Sequence, residues 1–211
     1  MMEKQLREEM VALGASLFNR GFTCGSGGNL SVKLPDGAIL TTPTNSSLGR
    51  LDPDRLSKIS TEGELLSGDP PSKEYLFHRK IYEARSDCGA VVHLHSTYAV
   101  GLSCCLDLNA DDVLRPFTPY YVMKVAPLSL VPYHKPGSPE LVAAVAAKAR
   151  EAKCFLLANH GPVVTGKSLE DAVNMAEELE ETARLFFILQ GNAAGIRYLT
   201  EDQIQDLATK A

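Results

Sequence analysis

The sequence lacks features on which several protein classes depend. Its 211 residues include no tryptophan, and its five cysteines form no C-x-x-C pair. An odd number of cysteines without such pairs favours reduced thiols over a disulfide framework or a thiolate zinc site. No apolar run approaches the roughly 18 residues that a membrane-spanning helix needs, and the charged segment MMEKQLREEM at the start is not followed by the apolar core of a signal peptide. We therefore expect a cytoplasmic protein that does not insert into a membrane.

Basic charge is also scarce. Lysine and arginine total 21 against 26 aspartates and glutamates, the formal net charge is −5, and no basic run exceeds two residues. Such a chain is poorly suited to binding a phosphate backbone, so nucleic acid is not expected as a partner. Apolar residues make up 45% and charged residues 22%, which is typical of a globular protein. Because there is no repeat, low-complexity tract or linker, we expect residues 1–211 to form one domain.

Apolar periodicity switches between the helical and the strand type along the chain. An apolar stripe at spacings of four and three predicts a first helix over residues 3–20, and alternation on both sides of Pro35-Asp36-Gly37 predicts a β-hairpin. The remaining segments are predicted as helices over 73–85, from Ser96, from Ser138 and over 168–190, strands over 90–95, 128–132 and 154–158, and a loop over 63–72. Helices interleaved with short strands predict an α/β fold with a mixed central sheet covered by helices.

The five histidines are few enough for their positions to be informative. His93 and His95 are separated by one residue on a predicted strand, so both rings project from the same face. His160 follows another predicted strand, where we expect a βα loop at the edge of the sheet, and Glu74 lies at the start of a helix. Three neutral imidazoles and one carboxylate suit Zn²⁺ or a neighbouring divalent metal, and one displaceable ligand leaves the open coordination that catalysis needs.

Each of these residues has a simpler interpretation when taken alone. His93 and His95 can be strand residues that face solvent or bind the backbone, and His160 can be an ordinary loop residue. The charge of Glu74 can merely favour a helix N-terminus. His78 lies one helical turn after Glu74, where it either supports the site or makes a structural contact.

Three segments are suited to binding an anion. The glycine-rich loop over residues 25–29 offers unhindered backbone N–H groups, and Thr44 and Asn45 offer side-chain donors. Ser72 and Lys73 lie at a predicted helix start, where free N–H groups and the helix dipole favour phosphate. An ordinary turn is the alternative for each segment.

Together these motifs resemble the class II aldolase/adducin superfamily, which includes fuculose-phosphate and ribulose-phosphate enzymes. The motifs that carry the resemblance follow the family's order and spacing: G-S-G-G-N-L-S (25–31), L-T-T-P-T (40–44), P-S-K-E (71–74), V-V-H-L-H-S (91–96) and N-H-G (159–161). Further segments are similar to the 3-oxo-tetronate 4-phosphate decarboxylase branch: L-D-P-D-R-L-S-K (51–58), R-P-F-T-P-Y (115–120), L-V-P-Y (130–133) and L-L-A-N-H-G-P-V-V (156–164). The resemblance spans nearly the whole chain and implies a class II aldolase/adducin-like domain in α/β/α layers.

The resemblance also implies roles for individual residues. The implied metal ligands are Glu74, His93, His95 and His160, with Glu74 doubling as acid/base. The implied phosphate-binding positions are Gly28, Asn29, Thr44, Asn45, Ser72 and Lys73. Asn45 stands where the sugar-phosphate aldolases carry glycine and Lys73 where they carry serine, and the added lysine charge favours an acidic sugar phosphate. Tyr120 lies in the segment that donates a tyrosine across the subunit boundary in the aldolases, which makes it the expected proton donor, with Tyr121 as the alternative.

The implied activity is a Zn²⁺-dependent carboxy-lyase reaction in four-carbon sugar acid catabolism. It converts 3-oxo-tetronate 4-phosphate, in its erythro or threo form, to dihydroxyacetone phosphate and CO₂, with Mn²⁺ or Co²⁺ as alternative metals. The implied assembly is a homotetramer with active sites at subunit interfaces. One alternative is a class II sugar-phosphate aldolase or epimerase. The other is a non-catalytic adducin-like binding module, against which the presence of Glu74 and all three histidines argues.

Overall fold

The computed structural model describes residues 2–106 and 108–208. Seven α-helices and eight strands follow one another in these residues, with two 3₁₀ helices, Leu48–Arg50 and Pro53–Arg55, between the second and third strands. In chain order they are α1 (Glu3–Asn19), β1 (Asn29–Lys33), β2 (Ile39–Thr41), β3 (Ser57–Ile59), β4 (Leu65–Ser67), α2 (Tyr75–Ala84), β5 (Ala90–His93), α3 (Thr97–Ser103), α4 (Pro119–Lys124), β6 (Ser129–Val131), α5 (Pro139–Ala149), β7 (Cys154–Leu157), β8 (Gly161–Gly166), α6 (Leu169–Gln190) and α7 (Glu201–Ala208).

All eight strands form one mixed sheet in the order β4-β3-β2-β1-β5-β8-β7-β6. Only β6 and β7 pair in parallel, and the other neighbours are antiparallel. The predicted hairpin is confirmed as β1 and β2, with Gly37 at a φ of 85° in the turn that joins them. A positive φ costs glycine little because it has no Cβ, so this turn closes without strain.

Two hydrophobic cores lie on opposite faces of the sheet. One packs α1, α3, α4 and α6 against residues such as Val92, and the other packs α2 and α5 against residues such as Val91. The expected α/β/α layering is therefore confirmed. Because side chains alternate along a strand, His93 projects to the same side as Val91, which is the α2 side. Asn29 pairs with His93, and Ser31 pairs with Val91, so both residues of β1 share that face.

Two strands and two helices differ from the sequence-based expectation. The segment over residues 63–72, expected as a loop, contains the edge strand β4, whose three residues are all exposed and so show no apolar alternation. The expected βα loop at His160 is wrong, because the chain turns directly into β8, an antiparallel partner of β7. Glycines at both ends and a proline hide this strand in the sequence, although all six of its residues are buried. The short helices α4 and α7 were not expected either.

In the part of the chain that the structure describes, no helix combines the length and the apolar character needed to cross a bilayer.

Candidate functional site

Four side chains from three separate parts of the chain meet at one end of β5. His93 is the last residue of this strand, which ends two residues earlier than predicted, so His95 lies just beyond the strand. The two rings nevertheless lie together, as their spacing predicts. Their Nε2 atoms are 3.2 Å apart. His160 lies in the turn between β7 and β8, and its Nε2 is 3.3 Å from Nε2 of His93. The fourth side chain, Glu74, places Oε1 3.4 Å from His160 and Oε2 3.5 Å from His93.

Backbone geometry brings His160 to this cluster. Asn159 adopts a φ of 57°, and Gly161 adopts a φ of 149°. A Cβ at Gly161 would lie 2.5 Å from the carbonyl oxygen of Leu94, so only glycine allows the β7–β8 turn to approach β5 this closely. The backbone conformation of the N-H-G motif thus places the imidazole of His160 beside His93.

Glu74 reaches the cluster from the start of α2. It is the residue immediately before the helix, where its backbone N–H donates to Oγ of Ser72 over 3.3 Å. Asn29 of β1 donates from Nδ2 to Oε2 of Glu74 over 2.7 Å. The carboxylate is therefore held from the sheet side while it faces two imidazoles.

The three imidazoles are in an environment that favours the neutral form. Burial and the neighbouring imidazoles of His160 and His95 hold the pKa of His93 well below 6.5. Burial also lowers the pKa values of His95 and His160, partly opposed by the carboxylate of Glu74. Nδ1 of His93 donates to the carbonyl oxygen of Pro162 over 2.8 Å, which leaves the lone pair of Nε2 directed at the cluster. Neutral imidazole is the form that binds metals.

The separations of the ligand atoms fit one small divalent cation. In a tetrahedral zinc site with Zn–N bonds of about 2.0–2.1 Å, neighbouring ligand atoms are about 3.3–3.4 Å apart. Four of the separations in the cluster, from 3.2 to 3.5 Å, lie close to that value. All four ligand atoms lie within 4.8 Å of one another. Glu74, His93, His95 and His160 therefore could hold a metal ion, as three nitrogen ligands and one oxygen ligand.

Two of the predicted anion-binding segments lie side by side, next to Glu74. The backbone N–H of Thr44 donates to Pro70, and that of Ser72 donates to Thr42, so the loop at residues 43–45 lies beside the loop at 70–73. Asn45 has a φ of 56°, a left-handed conformation that glycine and asparagine tolerate best. This explains in physical terms why asparagine can stand there in place of glycine. Lys73 is exposed beside these loops.

The third segment predicted to bind an anion, the glycine loop, lies against the strand that carries His93. Gly28 has a φ of 79°, and a Cβ there would come within 2.8 Å of the carbonyl oxygen of His93. A Cβ on Gly27 would come within 3.0 Å of Nδ1 of His95. The glycines thus let the loop pack directly on the candidate ligands.

The two candidate tyrosines of α4 lie in opposite environments. Tyr121 is fully buried, and its hydroxyl donates to Oδ1 of Asp112 over 3.3 Å. Burial, followed by the charge of Asp112, raises the pKa of Tyr121. Tyr120 is 59% exposed. Only Tyr120 is therefore accessible to a substrate or a second chain.

Sequence reasoning left the role of one buried residue near the site open and missed another. His78, which was left between a supporting and a structural role, is fully buried and its Nδ1 lies 2.7 Å from Oγ of Ser31. Glu180 of α6 accepts the backbone N–H groups of Tyr98 and Ala99, at the start of the helix that follows His95. The available signal for Glu180 was its position on the buried stripe of α6, where a charged residue needs a partner.

The chain is similar to known proteins over most of its length. The sequence profile of the family described as "Class II Aldolase and Adducin N-terminal domain" matches residues 8–187. The chain is 54% identical over 206 residues to the "3-oxo-tetronate 4-phosphate decarboxylase" of Escherichia coli (strain K12), covering 98% of this chain and 96% of that protein. It is 35% identical over 180 residues to an "L-fuculose phosphate aldolase" of Methanocaldococcus jannaschii, covering 85% of this chain and 94% of that protein.

A solved structure extends the comparison to the fold. The crystal structure of "YgbL, a putative aldolase/epimerase/decarboxylase from Klebsiella pneumoniae" superposes with a TM-score of 0.95 at 55% identity. The match covers 98% of this chain and 99% of that one. The similarity therefore extends over nearly the whole fold.

Proposed function

Because the chain belongs to the class II aldolase and adducin family, we propose that it decarboxylates 3-oxo-tetronate 4-phosphate to dihydroxyacetone phosphate and CO₂. The observation that carries the proposal is the convergence of three imidazoles and one carboxylate beside loops suited to an anion. The 54% identity to a relative of that name, over nearly the full length of both chains, supports the choice of substrate. The chain is also 35% identical to a fuculose-phosphate aldolase. This similarity supports the alternative, an aldolase or epimerase acting on a neutral sugar phosphate.

The reaction breaks the bond between C1 and C2 of the substrate. CO₂ leaves from C1, the electron pair remains on C2 and is delocalised onto the C3 carbonyl as an enediolate, and one proton added at C2 completes the product. A divalent cation held by Glu74, His93, His95 and His160 supplies Lewis-acid stabilisation of the negative charge that develops. The ligand set suits Zn²⁺, with Mn²⁺ and Co²⁺ as alternatives. Aldol cleavage leaves the same kind of enediolate, so a single site suits either reaction.

The anion-binding loops orient the substrate through its phosphate. In the proposal, Gly28, Thr44, Asn45 and Ser72 bind this group, and Lys73 adds a positive charge next to the phosphate or the C1 carboxylate. Binding energy from a group remote from the breaking bond can be used to hold the reacting atoms in place. The charge of Lys73 favours an acidic substrate over a neutral one.

Glu74 and Tyr120 are the proposed proton carriers. Glu74 is the carboxylate of the cluster, and it would relay a proton to or from the substrate. Tyr120 is the proposed donor to C2 from a neighbouring chain, because its exposed side chain is available to a second subunit whereas Tyr121 is enclosed.

The same proposal includes one domain over residues 1–211, a homotetramer with sites at subunit interfaces, and a cytoplasmic location.

The product of the reaction tests the proposal. The protein, loaded with Zn²⁺, is incubated with 3-oxo-tetronate 4-phosphate, and CO₂ and dihydroxyacetone phosphate are measured. We expect one CO₂ for each substrate consumed, and a loss of about two to four orders of magnitude in turnover for Glu74→Gln. His93→Asn, which removes a candidate ligand, should also lower turnover, and His134→Asn, which changes a histidine outside the cluster, is its matched control. Release of an aldehyde from fuculose or ribulose phosphate, without CO₂ from the tetronate, would instead support the aldolase alternative.

A further inference from the structure

His95 lies in the short connection between a strand and a helix. β5 ends at His93 and α3 begins at Thr97, so His95 belongs to neither element. Nδ1 of His93 donates to the carbonyl oxygen of Pro162, whereas Nδ1 of His95 has no hydrogen-bond partner among residues 2–106 and 108–208. The position of the His95 imidazole therefore depends on the backbone on either side of it.

A carboxylate from a distant helix fixes the backbone that follows His95. Oε1 of Glu180 accepts the backbone N–H of Tyr98 over 2.8 Å, and Oε2 accepts that of Ala99 over 2.8 Å. These N–H groups lie in the first turn of α3, where a helix supplies no acceptor of its own. Glu180 is a buried residue of α6. The first turn of α3 is thus tied to α6.

Ser96 immediately precedes α3 but does not cap it. A serine at this position usually accepts the N–H of the second or third helical residue, as Ser138 does for Leu141 in α5. In α3 both of these N–H groups are bonded to Glu180, and the Ser96 side chain makes no capping hydrogen bond. The cap of α3 therefore comes from tertiary packing and depends on one side chain.

We propose that Glu180 is a positioning residue for the candidate metal centre, which acts by fixing the first turn of α3 and thereby the imidazole of His95. This inference rests on the proposed function of the site. Tyr98 and Ala99, which Glu180 holds, follow His95 closely in the chain, so a shift of this turn displaces His95 directly. Groups that support a metal ligand usually contribute about 10–100-fold to metal affinity.

The chain before His95 is held independently of Glu180. The backbone N–H of Leu94 donates over 3.3 Å to the carbonyl oxygen of Pro162 on β8. The same oxygen accepts Nδ1 of His93 over 2.8 Å. Loss of the contact with α6 should therefore displace His95 and leave the other candidate ligands in place.

A double-mutant cycle on metal affinity tests the inference. Metal-free wild type, His95→Ala and His160→Ala are titrated with Zn²⁺, each with and without Glu180→Gln. The glutamine side chain has one acceptor oxygen, so it cannot accept both N–H groups with the geometry of the carboxylate. We expect Glu180→Gln to weaken Zn²⁺ binding about tenfold in wild type and in His160→Ala. In His95→Ala it should change affinity by less than about twofold, because the ligand that it positions is gone.

The visible absorption of the Co²⁺-loaded protein gives a second measurement, because it depends on the geometry of the ligands. It should change in Glu180→Gln. Ser138→Ala removes the cap of α5 and should lower stability while leaving Zn²⁺ affinity and the Co²⁺ spectrum as in wild type. Glu181→Gln, whose contact with Arg184 is on the surface, and Ser96→Ala should also bind Zn²⁺ as wild type does. If Glu180→Gln does not fold, Glu180→Asp, which keeps the charge on a shorter side chain, takes its place in the cycle.

The inference is overturned if Glu180→Gln leaves Zn²⁺ affinity unchanged, or weakens it as much in His95→Ala as in wild type. An equal loss of affinity in Ser96→Ala or Ser138→Ala would also overturn it, because the effect would then not be specific to Glu180. None of these titrations depends on turnover of the tetronate. Failure of the proposed reaction would show in the CO₂ assay of the wild type and is therefore distinguishable from failure of this inference.

Discussion

The carbonyl oxygen of Pro162 accepts a hydrogen bond from Nδ1 of His93 over 2.8 Å. The two residues lie on β8 and β5, which pair antiparallel, so the strand pairing that builds the sheet also orients this imidazole. With the proton fixed on Nδ1, Nε2 is free to face His95 and His160. The orientation of His93, the central candidate ligand, is thus fixed by the backbone.

Replacing Gly28 should damage the fold at the site. Gly28→Ala combines a left-handed φ of 79° with a Cβ 2.8 Å from the carbonyl oxygen of His93, so we expect a loss of about 2–5 kcal/mol in the free energy of unfolding. Gly25→Ala is the matched control, because Gly25 also has a positive φ, 59°, but a Cβ there meets no described atom within 4 Å. It should cost only about 1–2 kcal/mol. Equal losses in urea denaturation would contradict the close approach of the loop to His93.

Glu180 should stabilise the helix that follows His95. Its two carboxylate oxygens accept the N–H groups of Tyr98 and Ala99, each over 2.8 Å, and the residue is 8% exposed. Glu180→Gln leaves one of these buried N–H groups without its acceptor, which should cost about 1–3 kcal/mol in the free energy of unfolding. Glu181→Gln changes the neighbouring residue, whose contact with Arg184 is on the surface, and should cost less than about 1 kcal/mol. Similar values for both variants in chemical denaturation would argue against this role.

His78 should make the stability of the metal-free protein depend on pH. Burial, followed by the electrostatic effect of the neighbouring His93 imidazole, lowers the pKa of His78 from 6.5 to about 3. Below pH 6.5 the unfolded chain therefore binds a proton that the folded protein excludes. The contribution of this group to stability is complete above pH 6.5 and falls by about 1.4 kcal/mol per pH unit down to about pH 3.

Urea titrations of the metal-free protein at several pH values between 7 and 4 measure this dependence. His78→Gln should flatten the slope, whereas Ile81→Val, a buried change in the same helix, should lower stability at all pH values and leave the slope unchanged. An unaltered slope in His78→Gln would show that this imidazole is protonated equally in the folded and unfolded chains.

Lys73 should determine the preference for acidic substrates. Lys73→Ser removes the positive charge beside the anion-binding loops, and we expect KM for 3-oxo-tetronate 4-phosphate to rise about tenfold with a smaller change in kcat. Lys80→Ser, which removes a lysine of α2 that pairs with Glu83, should leave KM unchanged. Steady-state kinetics with both variants measure the difference. An unchanged KM in Lys73→Ser would remove this residue from substrate binding.

The sequence predicts those parts of the site that local periodicity determines. The hairpin has apolar alternation and the strand that carries His93 is a short apolar run, and the spacing of His93 and His95 by one residue predicts that their rings lie together. The sequence does not reveal β8, because glycines and a proline mask a strand whose burial comes from its neighbours. The contact of Glu180 with α3 and that of Asn29 with Glu74 join residues 81 and 45 positions apart. Such pairs depend on tertiary packing, which no local pattern contains.

The central claim is that Glu74, His93, His95 and His160 bind one metal ion. Titration of the metal-free protein with Zn²⁺ tests this claim most directly. We predict one tight site per chain in wild type, together with a loss of affinity of at least about a hundredfold in each of His93→Ala, His95→Ala and His160→Ala. His134→Ala should bind as wild type does. The absence of a tight site in wild type, or equal affinity in the three cluster variants, would contradict the account.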